Sequence, residues 1–382
     1  MPAKVTFASA RPKELRSEAT LQKLLDKMLG KWEFKKRFGG KTVAIKMHLG
    51  FGVGYSTITP LLVGRVVKAV KDAGGKPFIT DTLLRGSAHA THVWTRRGVH
   101  EAMATMTRNG FTTETVGAPI LFADAMNKTD GIPVEVGGQH IKTAYVAPML
   151  ADADALISLA HFKGHDCASF GGQIKALVVG CQSKRCKFWV HCEDQIRLIE
   201  ERCDGCGKCL EVCPTGALAR PSGRLGADGK VELDQSKCVD CEKCMSACPT
   251  HAFAQKFAPL GTGLCARIGE AAAGVVNLIG KEHCGYINVA IDVTPLCDCD
   301  PFTDVPFVQD IGVFASKDPV AADRAAVDMV TAFPGLPGSM AEDCDVLGAG
   351  VEKLNAIARL RWLKTPGATD QAPDCRVMLA AG

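Results

Sequence analysis

The feature that most restricts this chain is a cysteine pattern that occurs twice. A shift of 35 positions lays Cys203, Cys206, Cys209, Cys213, Pro214 and Thr215 onto Cys238, Cys241, Cys244, Cys248, Pro249 and Thr250. Each half has the form C-x2-C-x2-C-x3-C-P. Three thiolates at such short intervals wrap one cubane, and the longer step sends the fourth sulfur to a neighbouring one. On that rule one [4Fe-4S] cluster is expected on Cys203, Cys206, Cys209 and Cys248, and a second on Cys238, Cys241, Cys244 and Cys213. Zinc knuckles or buried thiols explain a single Cys-x2-Cys equally well, but not eight cysteines in two matched motifs.

Between the halves lies ALARPSGRLGADGKVELD, where Ala-Asp-Gly between strand-like pieces predicts a hairpin with an extended loop. Residues 202–253 are therefore expected to form a ferredoxin-like 2[4Fe-4S] module of α+β type. Around them, apolar β-rich runs alternate with helical ones. That pattern predicts an α/β fold, an open, mostly parallel sheet with flanking helices. Expected strands are Thr42–His48, Lys76–Thr80, Ala155–Ala160, Ile287–Val293 and Ile311–Ala315. Expected helices are Pro60–Ala73 and Val320–Val330, with Pro319 suited to a first turn. Strand and helix patterns resume after Phe253, so 1–201 and 254–382 read as two parts of one α/β domain interrupted by the module.

Eighteen cysteines in 382 residues would suggest a disulfide framework in a short secreted chain. Here the length and the dense Cys-x2-Cys spacing favour metal or redox chemistry in a reducing compartment. The opening MPAKVTFASARPKEL has no apolar core, and the apolar run from Leu264 to Gly280 is broken by Arg267 and Glu270, so a cytoplasmic, unanchored protein is expected. The first 45 residues hold eleven Lys/Arg against four Asp/Glu. A solvated helix face accounts for this charge, and no aromatic-basic interleaving marks it for nucleic acid.

In an open α/β sheet, ligands sit beyond the carboxyl ends of the strands. The first expected strand ends at Lys46 and His48 before the loop LGFGVGY, and the second ends at Asp81. Gly50, Gly52 and Gly54 in that loop match neither a P-loop nor a dinucleotide fingerprint. ALISLA runs into His161, Lys163, His165 and Cys167, then Gly171, Gly172 and Lys175. INVAIDV is followed by Cys297 and Cys299, and Ile311–Ala315 by Lys317 and Asp318. Gly164 and the preceding strand argue against a helical zinc pair at His161 and His165. Alternate residues on an extended segment point the same way, so Cys297 and Cys299 can offer two thiolates to one metal or form a redox pair. His191, Cys167, Cys181, Cys186 and Cys192 are candidate completing ligands, although Cys181-x4-Cys186-x5-Cys192 matches no metal spacing. A structural role is expected for them and for Cys265, Cys284, Cys344 and Cys375.

The runs VAIKMHLGFG, GKPFITDT, HFKGHDCASFGGQIKALVVG, PLCDCDPFTD and DIGVFASKDPVAADRAAVD resemble the domain of unknown function 362 family, iron-sulfur proteins often bearing an inserted or appended ferredoxin module. The likeness covers about Val43 to Val330. It implies that Lys46, His161, Lys163, His165, Lys175, Cys297, Cys299 and Asp318 are signature positions. This chain departs from the pattern at Ala176, where asparagine is expected, and at Asp300, where histidine is frequent.

Two functional expectations follow. In the first, the chain is an iron-sulfur oxidoreductase whose paired clusters pass electrons to a substrate or to a third metal centre or cluster at Cys297/Cys299. His161 or His165 would transfer protons, because imidazole titrates nearest neutral pH. Lys46, Lys163 and Lys175 would hold an anionic small molecule, and a ferredoxin- or flavin-dependent redox partner would supply electrons. In the second, the chain is an electron carrier whose α/β part only docks to a partner flavoenzyme. Neither involves nucleic acid or membrane.

Overall fold

The computed structural model describes residues 3–50, 57–83, 98–124, 131–165, 168–220, 229–258, 262–299, 303 and 305–342. The chain begins with β1 (Val5–Ser9), α1 (Leu21–Gly30) and α2 (Phe34–Phe38), then β2 (Thr42–Lys46), α3 (Pro60–Asp72) and β3 (Lys76–Asp81). Helices α4 (Val99–Arg108) and α5 (Thr113–Val116) lead to β4 (Ile120–Phe122). An antiparallel ribbon of β5 (Ile132–Glu135) and β6 (Thr143–Val146) precedes β7 (Ala155–His161). Two short strands, β8 (Lys163–His165) and β9 (Ser169–Gly171), come before α6 (Gln173–Val179) and α7 (Lys184–His191).

The cysteine repeat follows, within β10 (Arg197–Leu198), α8 (Lys208–Val212), β11 (Leu218–Ala219), β12 (Glu232–Leu233), α9 (Lys243–Ala247) and β13 (Phe253–Ala254). Helix α10 (Thr262–Ile279), β14 (Cys284–Ala290), β15 (Gly312–Ser316) and α11 (Pro319–Thr331) complete the order.

Seven strands form one sheet in the order β1-β15-β14-β7-β2-β3-β4. The run β14-β7-β2-β3-β4 is parallel, and β15 is antiparallel to both β14 and β1. This is the expected α/β sheet with flanking helices. Its central strands are apolar on both faces, as buried parallel strands must be. Successive residues point to opposite sides. Val43, Ile45, Ile157, Leu159, Ile287 and Val289 therefore meet the α1 and α3 side chains Leu25, Met28, Val63, Val66 and Val70 in one core. Ala44, Leu156 and Tyr286 turn the other way, onto Leu177 and Val178 of α6 and Ile268, Ala271 and Val275 of α10. In α1 the charged Lys23 and Lys27 stay exposed opposite the buried Leu25, Met28 and Leu29.

Most element boundaries fall within one or two residues of expectation, with one larger departure. The strand expected at Ile287–Val293 occupies Cys284–Ala290 instead, because Cys284 already pairs with Leu156 and Asp292 adopts a left-handed backbone (φ 48°) that ends the ladder. Strand β2, the first of the expected strands, stops at Lys46, two residues short of His48. Arg267, which breaks the apolar run in sequence, is buried and donates to the carbonyls of Trp189 (2.9 Å) and Cys192 (3.1 Å). Among the described residues no helix is long and apolar enough to cross a membrane. The tip of the expected hairpin after Ala219 lies outside the described residues, while its stem pairs Leu218 with Leu233.

Candidate functional site

Strands β7 and β14 lie side by side and parallel, so their polar continuations emerge together. The turn at Asp292 swings the chain back over β7 and lays Thr294–Cys299 beside β8. Gly164 makes this approach: its N–H donates to the Thr294 carbonyl at 2.9 Å, and a Cβ there would collide with the Pro295 carbonyl. Gly164→Ala is expected to cost about 1–3 kcal/mol of stability through this overpacking. It should also move Lys163 and His165 away from Asp298 and Cys299. A urea midpoint unchanged from wild type would show that the contact is not needed.

Asp298 is the hub of the resulting cluster. Its Oδ1 accepts from Lys163 Nζ at 2.8 Å and its Oδ2 from His161 Nδ1 at 2.9 Å, with all three side chains buried. Burial alone would raise the carboxyl pKa, but His161 and Lys163, with a lesser contribution from His48, outweigh it and hold the group well below the usual carboxylate range. The other nitrogen of His161, Nε2, sits 2.7 Å from the Ile291 carbonyl. The ring is thus held between the Asp298 carboxylate and the Ile291 carbonyl. This geometry commits His161 and Lys163 to Asp298. Residues 298 and 299 form a turn rather than the extended segment expected, and in it the two cysteines meet each other while Asp298 faces His161 and Lys163.

Cys297 and Cys299 meet as a disulfide, their Cα atoms 5.4 Å apart. Lys175 Nζ lies 3.0 Å from Cys297 Sγ and 3.4 Å from Cys299 Sγ, and His165 Nε2 lies 3.8 Å from Cys299 Sγ. The donor atoms of His165, Cys297 and Cys299 all fall within 4.8 Å of one another, a group that could hold a metal ion. Lys175 is placed by the start of α6, where buried Asp323 accepts from the backbone N–H of Gln173 (2.6 Å) and Ile174 (3.0 Å) and from Asn288 Nδ2 (2.8 Å). Burial pushes the Asp323 carboxyl up to about 6 against these stabilising donors.

Lys46 stands apart from the sulfurs. Its side chain packs on Gly180 near Asp81, 2% exposed and without a hydrogen-bond partner among the described residues. Asp81 accepts from the backbone N–H of Leu49 and Thr82. Asp318, a signature position, caps α11 by accepting from Ala321 N at 2.9 Å. Burial pushes the thiols of Cys181, Cys186 and Cys284 up to about 12, 11 and 11, marking them as protonated core residues. Cys192 is buried too, whereas Cys265 is half-buried on α10. His191 turns Nδ1 to its own helix, 2.7 Å from the Lys187 carbonyl. Gly52, Gly54, Cys167, Asp300, Cys344 and Cys375 lie outside the described residues.

In the cysteine repeat the structure brings Cys213 to Cys238, Cys241 and Cys244 around one small cavity, lined also by Ile196, Leu218 and Leu233. Cys209 lies in electrostatic range of Cys248, Cys203 and Cys206; its thiol is pushed up to about 11, chiefly by burial and also by these neighbours. The two halves match in backbone as well. Left-handed residues recur at the same shift of 35, Gly205 with Asp240, Gly207 with Glu242 and Gly216 with His251. Backbone donors converge on the sulfurs, Ala252 N on Cys248 Sγ at 3.3 Å and the N–H groups of Thr215, Ala217 and Leu218 on Cys213.

A family model described as Domain of unknown function (DUF362) matches residues 43–328. A curated thylakoid-associated protein from Synechocystis sp. is 32% identical over 181 residues, covering 46% of this chain and 49% of that protein. The chain thus spans about half the length of this relative. Among solved structures, the lactate racemase apoprotein from Thermoanaerobacterium thermosaccharolyticum is similar over 85% of this chain and 53% of its own, at 14% identity and a TM-score of 0.34. A Thermotoga maritima protein is similar over 82% and 60%, at 10% identity and a TM-score of 0.40.

Proposed function

Since this chain belongs to the DUF362 family, whose members carry no activity in their name, the reading must come from its own site, and we propose an iron-sulfur oxidoreductase that delivers electrons to the Cys297/Cys299 pair. The observation that carries this is the convergence of Lys175 and His165 on those two sulfurs beyond the carboxyl ends of β7 and β14. Residues 202–253 are proposed as the ferredoxin-like module. Cys203, Cys206, Cys209 and Cys248 would hold one [4Fe-4S] cluster, and Cys238, Cys241, Cys244 and Cys213 the other.

The donor set fits such groups. Four thiols line one cavity, and backbone N–H groups point at the sulfurs, as ligand thiolates require. When bound, the clusters supply electrons one at a time. The chain's own residues do the rest. Lys175 Nζ stabilises negative charge on Cys297 and Cys299, a bond that strengthens when the sulfur is ionised. The Asp298 triad anchors the segment that carries both cysteines. Lys46 supplies a second buried cation suited to an anionic small molecule, and a ferredoxin- or flavin-dependent partner supplies the electrons.

Anaerobic purification followed by iron and sulfide determination is expected to find about eight of each per chain. Dithionite should then reduce the clusters and convert Cys297–Cys299 from disulfide to dithiol, read by differential alkylation and mass spectrometry. A cluster-loaded protein that cycles with this pair unchanged would instead be a carrier that docks to a partner enzyme. Absence of iron would remove the proposal.

A further inference from the structure

We propose that Cys297 and Cys299 form a thiol–disulfide exchange centre for a small anionic disulfide, with Cys299 meeting the substrate and Cys297 resolving it. This rests on the redox reading above and names its substrate class. Access divides the two sulfurs. Cys297 is 7% exposed and faces Lys175 Nζ at 3.0 Å and the Cys299 backbone N–H at 3.4 Å. Cys299 is less buried and faces Lys175 Nζ at 3.4 Å and His165 Nε2 at 3.8 Å. Both sulfurs thus have donors ready for a thiolate, and the outer one can reach an incoming molecule.

The His165 ring argues for this chemistry over metal binding. Its Nδ1 accepts the Ala168 N–H at 3.1 Å, which places the proton of the neutral ring on Nε2, toward Cys299. A metal needs that nitrogen bare, whereas a thiolate needs it protonated. His165 is accordingly a hydrogen-bond donor to the Cys299 thiolate rather than a base. The anionic character of the substrate follows from charge. Lys175 Nζ faces both sulfurs, at 3.0 and 3.4 Å, and the buried Lys163 ammonium stands behind them on Asp298.

With the pair reduced and its protons released to solvent, the Cys299 thiolate attacks one sulfur of RS–SR′. A Cys299–S–S–R bond forms and R′S⁻ leaves. The Cys297 thiolate then attacks Cys299 Sγ, closes the Cys297–Cys299 disulfide and expels RS⁻; both leaving thiolates take protons from solvent. In sum, the dithiol and RSSR′ give the disulfide, RSH and R′SH, with two electrons passing from protein to substrate.

The full chain, reduced anaerobically with dithiothreitol and desalted, would be mixed with 5,5′-dithiobis(2-nitrobenzoate), a dianionic disulfide, and mapped by peptide mass spectrometry. Wild type is expected to regain the Cys297–Cys299 disulfide without a retained adduct. Cys297→Ser should keep a stable adduct on Cys299, and Cys299→Ser should label Cys297 at least tenfold more slowly. The anionic alkyl disulfide 3,3′-dithiodipropionate should react at least tenfold faster than the neutral bis(2-hydroxyethyl) disulfide, whose leaving thiol is of similar basicity. Equal labelling of the two cysteines, no preference for the anion, or stoichiometric Zn²⁺ retained on the pair and blocking exchange would each overturn the proposal. Urea midpoints of both variants check that they fold. Dithiothreitol bypasses the clusters, so exchange tests this site even where iron content or reduction by dithionite rejects the electron-transfer reading.

Discussion

Asp298→Asn is expected to destabilise the protein by about 3–5 kcal/mol, the range for removing one partner from a buried ion cluster. The amide would leave the buried Lys163 ammonium and the His161 ring facing a neutral group. Adding Lys163→Met to the variant should recover part of the loss, because the stranded charge is gone. The acid limb gives a second reading. A carboxylate whose folded pKa lies below its unfolded value of 3.8 contributes fully above that value, and the contribution is lost as pH falls toward the folded pKa. Urea unfolding of wild type should therefore weaken from about pH 5 downward more steeply than that of Asp298→Asn. A loss under about 1 kcal/mol would mean that solvent reaches the cluster and the pairing is worth no more than at a surface.

Cys213→Ala, on the proposed reading, should lower the iron content from about eight to about four per chain. The lost cluster should be the one otherwise held by the second half of the repeat. Cys213 follows α8 in sequence, yet it lines the cavity with Cys238, Cys241 and Cys244. Cys248→Ala should remove the other cluster, since Cys248 neighbours Cys209. In EPR, each variant should lose the spin–spin broadening of two nearby reduced clusters and show one magnetically isolated signal. If Cys213→Ala together with Cys203→Ala still retained about four irons per chain, both residues would serve the same cluster and the crossed pairing would be wrong.

How much of this was legible in the amino acids depends on how local each signal is. The apolar runs at Val43–Ile45, Ile157–Leu159 and Ile287–Val289 announce buried strands, and they are the centre of the sheet. The cysteine spacing is equally local, so its matched halves stand out. The end of β14 was misplaced because the pattern through Ile291 and Val293 stays apolar, while the backbone reversal at Asp292 has no apolar signature. The Asp298 triad joins residues more than 130 positions apart, and nothing in the local pattern of Lys163 says that its ammonium is committed. The same holds for β1, whose pairing with β15 spans most of the chain. His165 was legible as a candidate, but its tautomer depends on the Ala168 N–H, a backbone contact that composition does not encode.

The segment bearing the repeat leaves and re-enters the rest of the chain through a paired stem, Arg197 opposite Ala254 and Leu198 opposite Phe253, extended by a bridge between Cys192 and Phe257. That stem changes the polymer problem of folding. The central pair β7–β14 has to close over everything between His161 and Cys284, and closure entropy depends on the length of free chain, about 0.6 kcal/mol for each doubling. Once the stem forms, the residues beyond it no longer count toward that length. On the proposed reading, in which this segment folds around its own clusters, it acts as a shortcut in the contour of the larger domain, and the rate at which the sheet assembles becomes coupled to the supply of iron and sulfide.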